Sequence, residues 1–104
     1  MIPLEKVQLI VDKYEALEKD LASGNIDKKD FVKKSKEYSK IGEVINTARG
    51  YIKSQKEKEE LSKIIDEKNG DKEMIILASK ELEDLLQKKD KYEKILKIYL
   101  LPKD

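Results

Sequence analysis

The stretch KKDFVKKSKEYSKIGEVINTARGYIKSQKEKEELSKIIDEK, residues 28–68, decides the fold. It contains no proline, and apolar residues recur at Phe31, Tyr38, Ile41, Ile45, Ala48 and Ile52, then at Leu61, Ile64 and Ile65. Steps of three, four and seven place these on one side of a 3.6-residue helix. The spacing predicts a single helix over 28–68, on the order of 60 Å long at 1.5 Å per residue. That length exceeds a small globule, so the segments on either side must fold back along it.

Two glycines interrupt the stretch, and each costs about 1 kcal/mol in a helix interior relative to Ala. Gly42 falls near the apolar face, where a missing side chain lets another helix come close. Gly50 falls away from that face and marks a bend, or a break into two helices. Beyond Gln55 the stripe slips: Glu59 and Asp66 stand where a seven-residue count from Phe31 wants apolar residues. A slip of this kind changes supercoil locally, and here it marks an exchange of partner from the first helix to the last.

Outward from the centre, Leu4, Val7, Val11, Tyr14, Leu17 and Leu21 keep a helical step after Pro3, with Ile10 widening the stripe. Gly24 can take the left-handed conformation that ends a helix, and Asp27 can cap the next. Asn69-Gly70-Asp71 is the second break, with Gly70 as terminator and Asp71 as cap. Ile75, Ala78, Leu82, Leu85, Lys89, Tyr92, Leu96 and Tyr99 then alternate steps of three and four, a heptad seam whose one charged member is Lys89. At such a position Lys89 can extend its ammonium to water. Leu101 before Pro102 stops the helix.

The expected fold is all-α: an antiparallel three-helix, coiled-coil-like bundle with a long central helix. Helices are expected over about 4–22, 28–68 and 72–100, within one domain of residues 1–100. Residues 101–104 begin a linker, and the abrupt ending suggests a piece of a longer protein. The seam of the last helix serves either this internal bundle or a self-associating coiled coil; the expected state is monomeric.

Of the 104 residues, 43% are charged and 6% aromatic, which suits thin helices better than a sandwich or barrel. The absence of Cys and His removes disulfides, thiolate and imidazole catalysis and most zinc chemistry. No phosphate loop or nucleophile–base pair is present, and acids such as Asp12/Glu15 and Glu83/Asp84 sit among lysines as solvated pairs. No catalysis, metal, cofactor, small-molecule substrate or membrane span is expected, and a cytoplasmic location fits.

The net charge of +1 hides an uneven distribution. Residues 1–27 carry three Lys and six acids, whereas 28–56 carry nine Lys or Arg and three acids. Within the basic segment Lys29, Lys33, Lys36 and Lys40 align opposite Phe31, Tyr38 and Ile45. Aligned ammonium groups can follow a phosphate backbone without reading bases; equally, they can form a solvated back face. Tyr51 projects toward the same back face, either exposed or buried by helix curvature.

Three patches and a closing pentapeptide resemble a known family. Tyr14-Glu15-Ala16-Leu17-Glu18 with Leu21, Ser35-Lys36-Glu37-Tyr38, and Asp71-Lys72-Glu73-Met74 with Ala78 and Glu81-Leu82 occur in order, followed by Leu100-Leu101-Pro102-Lys103-Asp104. Together they resemble the N-terminal helical domain of bacterial class I peptide chain release factors, most closely the release factor 1 group that reads UAA and UAG. Ser23-Gly24-Asn25 departs from the group's acidic-proline turn, and Gly42 replaces a larger apolar residue. The resemblance implies a ribosome-docking module near the stalk base, with the recycling GTPase release factor as a further partner. The codon-reading tripeptide and the Gly-Gly-Gln loop of the family lie beyond residue 104. Two other readings stay open: an RNA-binding helical arm like that of seryl-tRNA synthetase, and a structural coiled-coil dimer.

Overall fold

Pro3 opens the first helix, where its missing N–H costs nothing, and Asp27 and Asp71 cap two others. The Asp27 carboxylate accepts from Asp30 N–H at 2.9 Å, and that of Asp71 from Glu73 N–H at 3.0 Å. A computed structural model describes residues 1–67 and 69–102, which form four helices: α1 (Leu4–Ala22), α2 (Lys28–Gly42), α3 (Ile45–Ile65) and α4 (Lys72–Leu100). Among the described residues there is no strand. Gly24 takes φ +73°, as a helix-ending glycine should.

The single long helix expected over 28–68 is instead two, broken at Glu43 and Val44 and not at Gly50. Glu43 N–H bonds the Lys40 carbonyl at 3.3 Å and Val44 N–H the Ile41 carbonyl at 2.9 Å. These i→i−3 bonds tighten the chain into a 3₁₀-like turn. Gly42 weakens the helix just before it, and the turn lets both α2 and α3 pack on α1. The far end also differs: α3 stops at Ile65, well before Gly70, and Gly70 does not adopt a positive φ. Lys68, Lys103 and Asp104, named in the expected helix and linker, lie outside the described residues.

Pairs across the helices give their directions. Asp20 meets Lys34 at 2.8 Å and Glu18 meets Tyr38 at 2.8 Å, so α2 descends as α1 climbs. Tyr51 meets Glu93 and Gln55 meets Lys89, so α3 and α4 also run in opposite directions. The main core gathers around α1 and the first half of α3: Val7, Ile10, Val11 and Leu17 bury against Ile41, Val44, Ile45 and Ala48, with Leu96 entering from α4. Beyond that core α3 and α4 continue as a two-helix arm, where Leu61, Ile64, Ile65, Ile75 and Leu82 are only half-buried. The molecule therefore measures 61 × 32 × 17 Å, with a radius of gyration of 18.4 Å where a globule of this size has about 13 Å.

The seam of α4 faces inward throughout: Ala78, Leu85, Lys89 and Leu96 are buried, and Ile75, Leu82, Tyr92 and Tyr99 are half-buried. Phe31 was expected in the central stripe but is 47% exposed. The Asp20–Lys34 pair shows why. With Lys34 level with Asp20 and α1 ending at Ala22, the first turn of α2 runs past the end of α1.

The glycine roles are reversed as well. A Cβ on Gly42 would meet Tyr14 at an ordinary 3.8 Å, whereas one on Gly50 would lie 2.8 Å from Tyr92 Cζ. Gly50, not Gly42, is where a side chain of a neighbouring helix fills the space of the missing Cβ.

Candidate functional site

The basic segment divides into cations that are used internally and cations that are not. Lys34 pairs with Asp20, Arg49 reaches Glu15 at 3.6 Å, and Lys13 of α1 pairs with Glu37 of α2. The hydrogen bonds to Glu37 and Asp20 push the Lys13 and Lys34 ammonium groups above the usual lysine range. Tyr14 and Tyr38 stack between the two helices, their centroids 4.4 Å apart, and Arg49 lies over Tyr14 at 5.6 Å. The Tyr14 hydroxyl and the Glu18 carboxylate raise the Tyr38 pKa, since both favour its protonated form. Sequence reading missed these pairings because the partners lie across a loop, with nothing local to mark them. Two acids of α1, Glu15 and Asp20, thus answer cations of α3 and α2.

Lys29, Lys33, Lys36 and Lys40 remain. All four are exposed on α2, and among the described residues none has a carboxylate within ion-pair distance. Steps of four, three and four hold them within one narrow sector, over about 16 Å of helix. Core residues Tyr38 and Ile41 hold the other side of α2 against the bundle. Lysine presents a point charge with three rotatable donors, without the planar fork with which Arg reads guanine or clamps a single phosphate. Arg49, the one arginine, is exposed but engaged with Glu15 and the Tyr14 ring of α1. Chemically the stripe can neutralise a run of phosphates, and it offers no means of reading a base.

A second cluster lies inside the molecule. Tyr51 is fully buried, which resolves its orientation toward the core side. Its hydroxyl accepts from Ile2 N–H at 3.4 Å and lies 3.0 Å from Glu93 Oε1 and 3.1 Å from the Ile2 carbonyl oxygen. Burial and the Glu93 carboxylate push the Tyr51 pKa up. Lys89 does not reach water: it is 5% exposed, its ammonium donates to Gln55 and sits 5.4 Å from the Tyr51 ring. Burial, then the nearby Lys58, lowers its pKa. This cluster fastens the N-terminal segment, α3 and α4 together, and Lys89 and Glu93 also border a surface recess with Met1, Lys58, Leu86 and Asp90. Among the described residues no helix is long and apolar enough to cross a membrane.

Comparison with known proteins agrees with the ordered patches of the sequence. Peptide chain release factor 1 of Pelagibacter ubique is 47% identical over the whole chain, which covers 29% of that protein. The same-named proteins of Rickettsia canadensis and Bartonella quintana are 41% and 36% identical over 91% and 99% of this chain, which covers 26% and 28% of theirs. The chain thus spans less than a third of the length of these relatives. No solved structure gives a significant match. Residues 10–104 match the PCRF domain. The likeness to the N-terminal helical domain of bacterial peptide chain release factor 1 therefore holds along the whole chain, which belongs to the PCRF domain family.

Proposed function

We propose that this chain is the docking domain of a peptide chain release factor that directs termination at UAA and UAG codons. Its own residues hold the factor on the ribosome near the stalk base, with the recycling GTPase release factor as a further partner. The catalytic loop and codon-reading tripeptide belong to other parts of such a factor, and no residue here takes either role. The bent α2–α3 pair stands in this reading for the central member of an antiparallel three-helix bundle. The observation that carries the proposal is the stripe: four exposed lysines in register, without an ion-pair partner among the described residues, in a chain 47% identical to a release factor 1.

Changing Lys29, Lys33, Lys36 and Lys40 together to Glu in the intact factor should weaken ribosome association by about tenfold or more and flatten its salt dependence. Circular dichroism should be unchanged, because none of the four touches the core. Association that is unaffected at low salt returns the stripe to a solvated face. The parentage has a separate check: the gene beyond Asp104 should encode a Gly-Gly-Gln loop.

A further inference from the structure

Apart from the lysine stripe, α1 and α3 leave an apolar groove open. It encloses about 450 Å³ and is lined by Leu4, Glu5, Gln8, Leu9, Asp12 and Ile52. The volume is in the range of sites that take a side chain or small ligand. Leu9 is 64% exposed there, while its helix neighbours Val7, Ile10 and Val11 are buried. Leu9 thus lies outside the core stripe and offers apolar surface outward.

The charged residues that line the groove have one sign. Glu5 and Asp12 line it, one on each side of Leu9, and Gln8 donates to Asp12 Oδ1 at 2.9 Å, which holds that carboxylate in place. Two neighbouring cations are engaged elsewhere: Lys13 pairs with Glu37, and Lys53 with Glu57 at 3.8 Å. Lys56 follows Ile52 by one helical turn and does not line the groove. Residues 1–27 as a whole carry twice as many acids as lysines.

We propose that this groove is a docking site for a basic protein segment, one that inserts an aliphatic or aromatic side chain between Leu4, Leu9 and Ile52 and sets Lys or Arg on either side against Glu5 and Asp12. An apolar anchor at the centre with charges at the rim is the usual anatomy of helix-in-groove recognition. Complementary charge selects the partner and speeds its arrival. The site is separate from the lysine stripe in sign and in position, so the domain can hold a phosphate-bearing and a basic partner at once.

The test is a chemical-shift titration of this chain with an amphipathic helical peptide of Leu and Lys. The same peptide with Glu for each Lys serves as the control. The Lys peptide should move the resonances of residues 4–12 and Ile52 and leave those of Lys29, Lys33, Lys36 and Lys40 in place. The triple change Leu9→Ser, Glu5→Lys, Asp12→Lys should weaken binding by about tenfold or more, with an unchanged circular dichroism spectrum because the three side chains are exposed. Equal response to the Glu peptide, shifts confined to α2, or binding indifferent to the triple change overturns the proposal. A single-stranded RNA oligonucleotide that shifts the groove residues overturns it too. Since no stripe lysine is altered, failure here leaves the stripe's own test untouched.

Discussion

Replacing Tyr51 by alanine should destabilise the chain by about 3–5 kcal/mol, the range for emptying a large buried aromatic site. Tyr51 is the largest fully buried side chain among the described residues, and it stands where the N-terminal segment, α3 and α4 meet. Its ring packs in the core, its hydroxyl bridges the N-terminal segment at Ile2 and Glu93 of α4, and the Lys89 ammonium faces its ring. Alanine leaves a cavity and also removes the ring beside a buried cation, which then has Gln55 as its remaining described partner. For a domain of this length the loss corresponds to a fall in Tm of roughly 15–25 °C. Tyr51→Phe keeps the ring and deletes the bridge. It should cost about 1–2 kcal/mol, in line with one buried hydrogen-bonding group lost. Thermal unfolding followed by circular dichroism distinguishes the two; equal losses would mean that the ring contributes nothing beyond the hydroxyl.

The second large effect is expected at Gly50. A Cβ there would sit 2.8 Å from Tyr92 Cζ and 2.9 Å from its hydroxyl oxygen. Alanine forces the ring to swing; valine adds two more carbons to the same space. Gly50→Val should destabilise by about 2–3 kcal/mol, as overpacked cores do, even though valine is the better helix former by a few tenths. Because the clash is with one side chain, the effect should be coupled. In a Gly50→Val, Tyr92→Ala double variant the losses should fall short of their sum by about 1–2 kcal/mol. Strict additivity in denaturant unfolding would mean that α3 and α4 part there by moving backbone, and that Tyr92 is not the obstacle.

These two residues also show where sequence reading reaches its limit. The seam of α4 was legible in full, because α4 packs on one side and a single 3.5-residue period describes it. The caps at Asp27 and Asp71 and the turn at Gly24 were legible for a local reason: each acts within a few residues of itself. The middle of the chain was not. A helix that lies between two others has two inner faces, and a search for one stripe finds only one of them. Ile45, Ala48 and Ile52 mark the face toward α1, so Gly50, Tyr51 and Ser54, which belong to the face toward α4, read as outward. For the same reason Lys89 read as reaching for water: its acceptor, Gln55, lies on the face that no period announced. The break at Glu43–Val44 left a faint trace in Gly42, yet a tight turn in αR-like geometry needs no proline or positive φ to mark it. Of the candidate site, the exposure of Lys29, Lys33, Lys36 and Lys40 followed from their register opposite Tyr38. Their freedom from carboxylates did not, since it depends on Asp20 and Glu15 choosing Lys34 and Arg49 across the α1 interface.

The uneven thickness of the molecule has a mechanical consequence. Where α1 backs the bundle, three helices share any bending load, and stiffness rises steeply with cross-section. The α3–α4 arm has two helices and half-buried contacts, the composition of segments that open at low cost. Pressed at its tip, such a body flexes in the arm before it strains the core. A surface carried on α2 is thereby insulated from forces at the far end, and keeps its lysines in register while the arm adjusts to whatever it meets.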